Sequence, residues 1–213
     1  MTFQSEGMCP MSSSWDDPIN TSHVRLVRLA QAGNNEAFAS LVQNYEREIY
    51  GYLVSQVGNS EDAYDYAQQT FFKAWRKLST LDNPFCFKPW LYTIARNLAH
   101  DHWRSRRTCL QSWENLEVDD AIESLPGPEE HTVKAELIKM ALTELPPKLR
   151  DCLLLQVVGG FSRHEVAKLV GISEASVGTY VSSARKQLRT AYQHLENERG
   201  GQADESSKAH TLC

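Results

Sequence analysis

The segment from Ser162 to Arg189 has the residue types and spacing of a helix-turn-helix that binds duplex DNA. Ser162 and Glu165 form a capping box, and Gly171 supplies a turn before a second helix capped by Ser173. That second helix offers hydroxyls for base edges and cations for phosphates. The candidate contacts are Ser173, Glu174, Ser176, Thr179, Tyr180, Ser183, Arg185, Lys186 and Arg189. The alternative is a three-helix packing unit without a ligand.

A second segment, residues 85–107, interleaves aromatic residues with cations. Rings stack on unpaired bases at roughly 1–3 kcal/mol per base while cations follow the backbone, so this composition suits single-stranded DNA. The alternative is a buried aromatic face with a solvated basic helix end, and composition alone favours it, because Trp90 lies on the expected buried stripe. The aromatic residues are Phe85, Phe87, Trp90, Tyr92 and Trp103, and the cations are Lys88, Arg96, Arg104, Arg106 and Arg107.

A third segment, residues 61–78, starts with acidic residues and continues with aromatic ones, which makes it a candidate protein-docking face. Acidic residues in a first turn are more often partners of the helix dipole. No nucleophile motif, phosphate loop or paired histidine and carboxylate is present, so we expect neither an enzyme nor a cofactor. The five cysteines are scattered without a CxxC pair, which favours reduced thiols and predicts no metal site.

The formal net charge of -5 argues at first against a nucleic-acid ligand, but the charge is segregated along the chain. Basic residues outnumber acidic ones in residues 88–107 and again in residues 139–195, whereas residues 108–138 carry eight acidic residues and one lysine. Local surface potential decides contact with phosphates, because charges are screened over roughly 8 Å. Two basic patches with an acidic spacer are therefore compatible with DNA binding.

Apolar residues recur at intervals of three and four, which predicts an all-α fold with two small helical domains joined by an acidic flexible linker. Four helices are expected in residues 23–107, the last starting near Trp90, and a helix-turn-helix domain in residues 133–195. Residues 1–22 are expected to be a disordered arm, residues 108–132 the linker, and residues 196–213 a disordered tail. No secretory signal or membrane-spanning run is seen, so we expect a cytoplasmic protein without membrane insertion.

Three stretches together resemble the extracytoplasmic-function (ECF) sigma factors of bacterial RNA polymerase. Residues 61–76 (EDAYDYAQQTFFKAWR) resemble the polymerase-binding segment, and residues 87–99 (FKPWLYTIARNLA) resemble the segment that recognises and melts the -10 element. Residues 145–189, which begin with LPP, resemble the domain that binds the -35 element. The motifs occur in family order with a linker between them.

The resemblance implies three sets of contacts. The clamp of the largest polymerase subunit would be bound through Asp62, Asp65, Gln68, Gln69, Phe72 and Trp75. Single-stranded -10 DNA, with a captured base, would be bound through Asn83, Phe85, Phe87, Lys88, Arg96, Asn97 and Arg104. The second helix of the helix-turn-helix would bind the -35 duplex, and the same domain would touch the polymerase flap. An anti-sigma factor is a usual partner in the family.

The chain departs from the family pattern at three positions. Gln69 stands where an acidic residue is common, and Gly178 and Tyr180 stand where basic residues are usual. Gly178 also costs about 1 kcal/mol of helix propensity. Two other interpretations therefore remain: a stand-alone helix-turn-helix regulator that needs no polymerase, and an interaction protein that has lost DNA binding. Only a sigma factor explains residues 90–107 together with a separate helix-turn-helix.

Overall fold

The computed structural model describes the backbone of residues 18–112 and 130–209 and the side chains of residues 22–106 and 133–199. These residues form eight α-helices and two short 3-10 turns without a β-strand, which confirms the all-α prediction. The helices are α1 (Pro18–Gln31), α2 (Asn35–Val57), α3 (Ser60–Lys77), α4 (Phe87–Ser112), α5 (Glu130–Glu144), α6 (Pro147–Val157), α7 (Arg163–Val170) and α8 (Glu174–Ala209). The turns Leu78–Thr80 and Pro84–Cys86 connect α3 to α4.

Helices α1 to α4 form the first bundle, because each carries an apolar stripe at helical spacing. Val27, Leu41, Ile49, Leu53 and Leu91 are fully buried in its core.

Local signals set the starts of α3 and α4. The α3 cap is Asn59, whose side chain accepts from the amides of Glu61 and Asp62. Helix α4 begins at Phe87, three residues before the expected Trp90. Pro89 then lies in the first turn, where a missing N–H breaks no helical hydrogen bond.

Helices α5 to α8 form the second bundle, and its helix-turn-helix follows the sequence signals. The side chains and backbones of Ser162 and Glu165 form the capping box in both directions. Gly171 ends α7 with φ +74°, in the left-handed region that favours glycine. Val177 and Ala184 of α8 are fully buried against the rest of the bundle.

Helical backbone extends into segments that we expected to lack structure. Helix α1 begins at Pro18, inside the expected arm, and α4 ends at Ser112 while α5 begins at Glu130, inside the expected linker. Helix α8 continues past residue 196 to Ala209, in the expected tail. The apolar stripes end earlier in the sequence, and α8 also runs through Gly200 and Gly201 despite the unfavourable helix propensity of glycine. The rest of the arm, linker and tail lies outside the described residues.

The two described cysteines differ. Cys152 is a free thiol in the core, where burial, then the neighbouring Asp151, raises its pKa to about 11 despite the nearby Arg96. Cys86 is disulfide-bonded, which contradicts the prediction that all five cysteines are reduced. Cys9, Cys109 and Cys213 lie outside the residues whose side chains the structure describes.

The two bundles pack against each other. Helix α2 of the first bundle contacts α5 and α6 of the second, and α4 contacts α7. Side chains of α4 therefore lie between the bundles, and this placement decides the environment of several candidate site residues.

Candidate nucleic-acid and protein interfaces

Helix α3 presents the expected docking residues on its outer face. Its inner face is buried through Ala63, Ala67, Thr70 and Ala74, whose small side chains let α3 approach its neighbours. The candidate residues Asp65, Gln68, Gln69, Phe72 and Trp75 are exposed, and Asp62 is half-buried. The acidic and amide groups thus share a surface with two large aromatic side chains.

This outer face continues across α2 as an exposed apolar surface. Phe72 and Tyr64 are 60% and 59% exposed, which is unusual for large apolar side chains. Grooves of about 590 Å³ and 720 Å³ lie beside them. Sequence reasoning missed the apolar residues of these grooves, Phe38, Val42, Tyr50, Tyr64 and Phe71. The sequence did contain a signal for these grooves, because the apolar stripe on α2 is wider than a helix with one buried face requires.

The loop between α3 and α4 presents part of the expected single-strand face. Asn83 is exposed, and its side-chain oxygen accepts from the amide of Phe85, which is half-buried. Phe87 corrects the prediction, because its ring is fully buried between His23, Tyr45 and Trp90 and is not available to stack on a base. The start of α4 three residues early turns this ring into the bundle.

The cations of α4 have different environments. Lys88 forms a 3.0 Å ion pair with Glu48, and Arg104 forms an exposed 3.2 Å ion pair with Asp101. Asn97 is exposed. Arg96 points instead toward the second bundle.

Arg96 belongs to an interdomain cluster around Asp151, which we call the Asp151 clasp. Gln56 donates to one carboxylate oxygen at 2.8 Å, and His100 lies 2.9 Å from the other. The Nε of Arg96 lies 3.4 Å from that second oxygen, and an Nη atom donates to the carbonyl of Leu169. Asp151 and Gln56 are each only 1% exposed. The clasp thus joins α2 and α4 to α6 and α7, and sequence reasoning missed it.

Aromatic contacts extend the interface on both sides of the clasp. The rings of Tyr92 and Phe161 meet edge-on with centroids 4.9 Å apart. The buried guanidinium of Arg150 lies 4.9 Å from the centre of the Trp103 ring. Two expected nucleic-acid aromatics, Tyr92 and Trp103, are therefore occupied by the second bundle.

Helix α8 places its candidate contacts on the surface of the helix-turn-helix. Ser173, Glu174, Thr179, Arg185, Lys186 and Arg189 are exposed, and Ser176, Tyr180 and Ser183 are half-buried. The hydroxyls of Ser173 and Ser176 bond to each other at 2.6 Å, and Glu174 lies 3.1 Å from Nδ1 of His164. The exposed set contains both the hydroxyls and the cations that the sequence assigned to DNA.

Two histidines of the first bundle have lowered pKa values. Burial, with a smaller contribution from Lys88, lowers the pKa of His23. Burial also lowers the pKa of His102, although Asp62 opposes the shift. Both rings are therefore harder to protonate in the folded protein than in the unfolded chain. In the part of the chain that the structure describes, no group of three histidine, cysteine or acidic side chains could hold a metal ion.

Each bundle contains the match to one known family model. Residues 41–109 match sigma-70 region 2, and residues 135–188 match sigma-70 region 4. The chain is 31% identical over 184 residues to the RNA polymerase sigma-H factor of Pseudomonas aeruginosa, covering 82% of this chain and 95% of that protein. The chain belongs to the sigma-70 family, in its ECF group. We therefore call the first bundle region 2 and the second bundle region 4.

Two other relatives of this sigma factor are named ECF sigma factors. It is 27% identical to the ECF sigma factor SigW of Bacillus subtilis over 79% of this chain and 96% of that protein. It is 33% identical to the ECF sigma factor BldN of Streptomyces coelicolor over 73% of this chain and 60% of that protein. Two sigma regions in one chain support a sigma factor over a stand-alone helix-turn-helix regulator.

Solved structures share the fold. The sigma factor RpoE of Bartonella quintana, solved with the anti-sigma factor NepR, has a TM-score of 0.60 and 25% identity over 73% of this chain and 96% of that one. CnrH, solved with the cytosolic domain of CnrY, has a TM-score of 0.63 and 23% identity over 81% of this chain and 98% of that one. At that identity the CnrH likeness shows the fold alone.

Proposed function

We propose that this sigma factor binds core RNA polymerase through the outer face of α3 and directs transcription initiation from promoters with paired -35 and -10 elements. The observation that carries the proposal is the exposed face of α3. Phe72 and Trp75 are solvent-exposed beside the acidic and amide groups of Asp65 and Gln69. Large exposed apolar patches with a polar rim are typical of protein-binding surfaces.

Region 2 binds the melted -10 element in this proposal. Asn83, Phe85 and Asn97 are accessible for an unpaired base, and Lys88 and Arg104 for the backbone. Arg96 becomes available only when region 4 leaves it, because its guanidinium is engaged by Asp151 and the Leu169 carbonyl. We therefore expect a packed form without DNA and a separated form on the promoter.

Region 4 binds the -35 duplex through α8 in this proposal. The second helix of a helix-turn-helix lies in the major groove, where hydroxyls such as that of Thr179 reach base edges. The exposed cations Arg185 and Arg189 neutralise phosphates on either side of that groove.

The exposed apolar face also fits an anti-sigma factor, which would compete with polymerase for this surface. The sigma factor RpoE of Bartonella quintana, which was solved with the anti-sigma factor NepR, supports this expectation. Among the helices of the described residues, none is both long and apolar enough to cross a membrane. Because its proposed partners, polymerase and promoter DNA, are in the bacterial cytoplasm, we propose the same location for this sigma factor.

The test is capture of bacterial core RNA polymerase by the full chain, followed by transcription from a pool of random promoters. We expect stable capture and transcripts that share one -35 and -10 pair. Trp75→Ala should weaken capture, because truncation of a central aromatic side chain often costs 2 kcal/mol or more, roughly a thirtyfold loss of affinity.

Tyr192→Ala is the matched control, because this half-buried aromatic residue lies on α8, away from α3. Duplex binding without polymerase capture would instead establish the stand-alone regulator. Failure of both would point to an interaction protein without DNA binding.

A further inference from the structure

A basic cleft lies where α6, α7 and α8 meet. Its volume is about 630 Å³. Its walls are formed by Gln156, Arg163, Gly178, Val181, Ser182, Arg185, Lys186 and Arg189, among which four residues are cations and none is acidic. In the described part of the chain, none of these four cations forms an ion pair. The cleft therefore holds positive charge that no described protein group neutralises.

Arg163 differs from the other cations because it comes from α7, outside the helix that the sequence assigned to DNA. Its Nη1 lies 3.9 Å from the place that a Cβ atom on Gly178 would occupy, and among the described residues no other helix contributes an atom there within 4 Å. The guanidinium thus covers the surface of α8 at the residue where the resemblance to ECF sigma factors leads one to expect a basic side chain.

We infer that Arg163 replaces the cation missing at Gly178 and binds a backbone phosphate of the -35 duplex. The inference rests on the proposed function. DNA fits the cleft better than an acidic protein segment, because Arg185 and Arg189 belong to the helix that enters the major groove, which phosphates flank on both sides. A guanidinium matches a phosphate in a bidentate geometry, so Arg163 positions region 4 without reading sequence.

The test uses the full chain with core polymerase and two promoter fragments. Both fragments are built on one promoter selected from the random pool, and they differ only in the -35 sequence. Affinity is measured between 50 and 200 mM salt. Arg163→Ala should weaken binding roughly tenfold and equally for both fragments. It should also reduce the slope of log affinity against log salt by about 0.9, the value for one lost phosphate contact.

A relocated charge separates contact from structure. Adding Gly178→Arg to Arg163→Ala should restore most of the affinity and the salt slope, because a side chain at residue 178 points into the same cleft without a clash. Lys148→Ala is the matched control, since it removes an exposed cation at the opposite end of α6 and should change neither quantity.

Three results would overturn the inference. If Arg185→Ala weakens DNA binding while Arg163→Ala leaves affinity and slope unchanged, Arg163 is no contact but the proposed function stands. If Arg163→Ala weakens polymerase capture at an unchanged salt slope, the cleft binds protein. If the wild-type complex with polymerase binds no promoter, the proposed function fails and the inference fails with it.

Discussion

Replacement of Asp151 with alanine tests whether the Asp151 clasp holds regions 2 and 4 together. The carboxylate accepts from Gln56 of α2 and pairs with Arg96 and His100 of α4, so all of these partners belong to region 2. Truncation removes the acceptor that Gln56, Arg96 and His100 share. Gln56 keeps its bond to the Tyr52 hydroxyl, and Arg96 keeps its bond to the Leu169 carbonyl. Removal of one partner from a buried ion pair costs about 3–5 kcal/mol.

The lower end of that range applies here. The side chains of Arg96 and His100 are 17% and 31% exposed, so water replaces part of the lost interaction. A loss of about 3 kcal/mol shifts the ratio of packed to separated domains roughly 150-fold toward separation. The helices of each region keep their own cores, because the clasp contributes contacts between regions and not within them.

Small-angle scattering and hydrogen exchange measure this shift on the full chain. Asp151→Ala should increase the radius of gyration and speed exchange in α6 while far-UV circular dichroism stays unchanged. Glu136→Ala, which removes an exposed carboxylate from α5, is the control and should change nothing. An unchanged radius and unchanged exchange would refute the reasoning. A loss of helicity would show that Asp151 supports the fold of region 4 itself.

Three further predictions follow from single groups. Arg96→Ala should weaken open-complex formation, measured by permanganate reactivity of unpaired thymines, and leave polymerase capture intact; lost capture would contradict the assigned role. Ser162→Ala should lower the free energy of unfolding by about 1 kcal/mol in urea titrations, because the α7 capping box is lost, and an unchanged midpoint would contradict it. Because the pKa of His102 is lowered in the folded protein, the unfolded chain protonates this residue more readily as the pH falls below the ordinary value of 6.5. The stabilisation that the neutral ring contributes is therefore fully present above that pH and is lost below it. His102→Gln should therefore show a smaller loss between pH 7.5 and 5.5 than wild type, whereas an equal loss would assign the decline to other groups.

The boundaries of the helix-turn-helix were predictable because their signals are local. Ser162, Glu165 and Gly171 act through hydrogen bonds and backbone angles within a few residues. The start of α4 was not predicted, because the choice between Phe87 and Trp90 depends on which ring the bundle buries. The α3 residues of the expected docking face came from the family resemblance and not from helical spacing. The apolar grooves beside them were not predicted, because they require α2 as a second wall.

By itself, the sequence determined the all-α fold class and the family resemblance. It also determined the order of the two candidate DNA-binding segments, residues 85–107 and residues 162–189. These depend on periodicity and on residue types within each segment. Only the tertiary structure decided which of those residues are accessible to a ligand and which are engaged by other parts of the protein. Asp151 lies 95 residues from Gln56 in the chain, and no local pattern indicates that a charged residue in α6 will be buried against α2. Packing within region 2 buries Phe87 among His23, Tyr45 and Trp90. Packing between the regions brings Arg96 against region 4, because those two surfaces meet only after both bundles have formed.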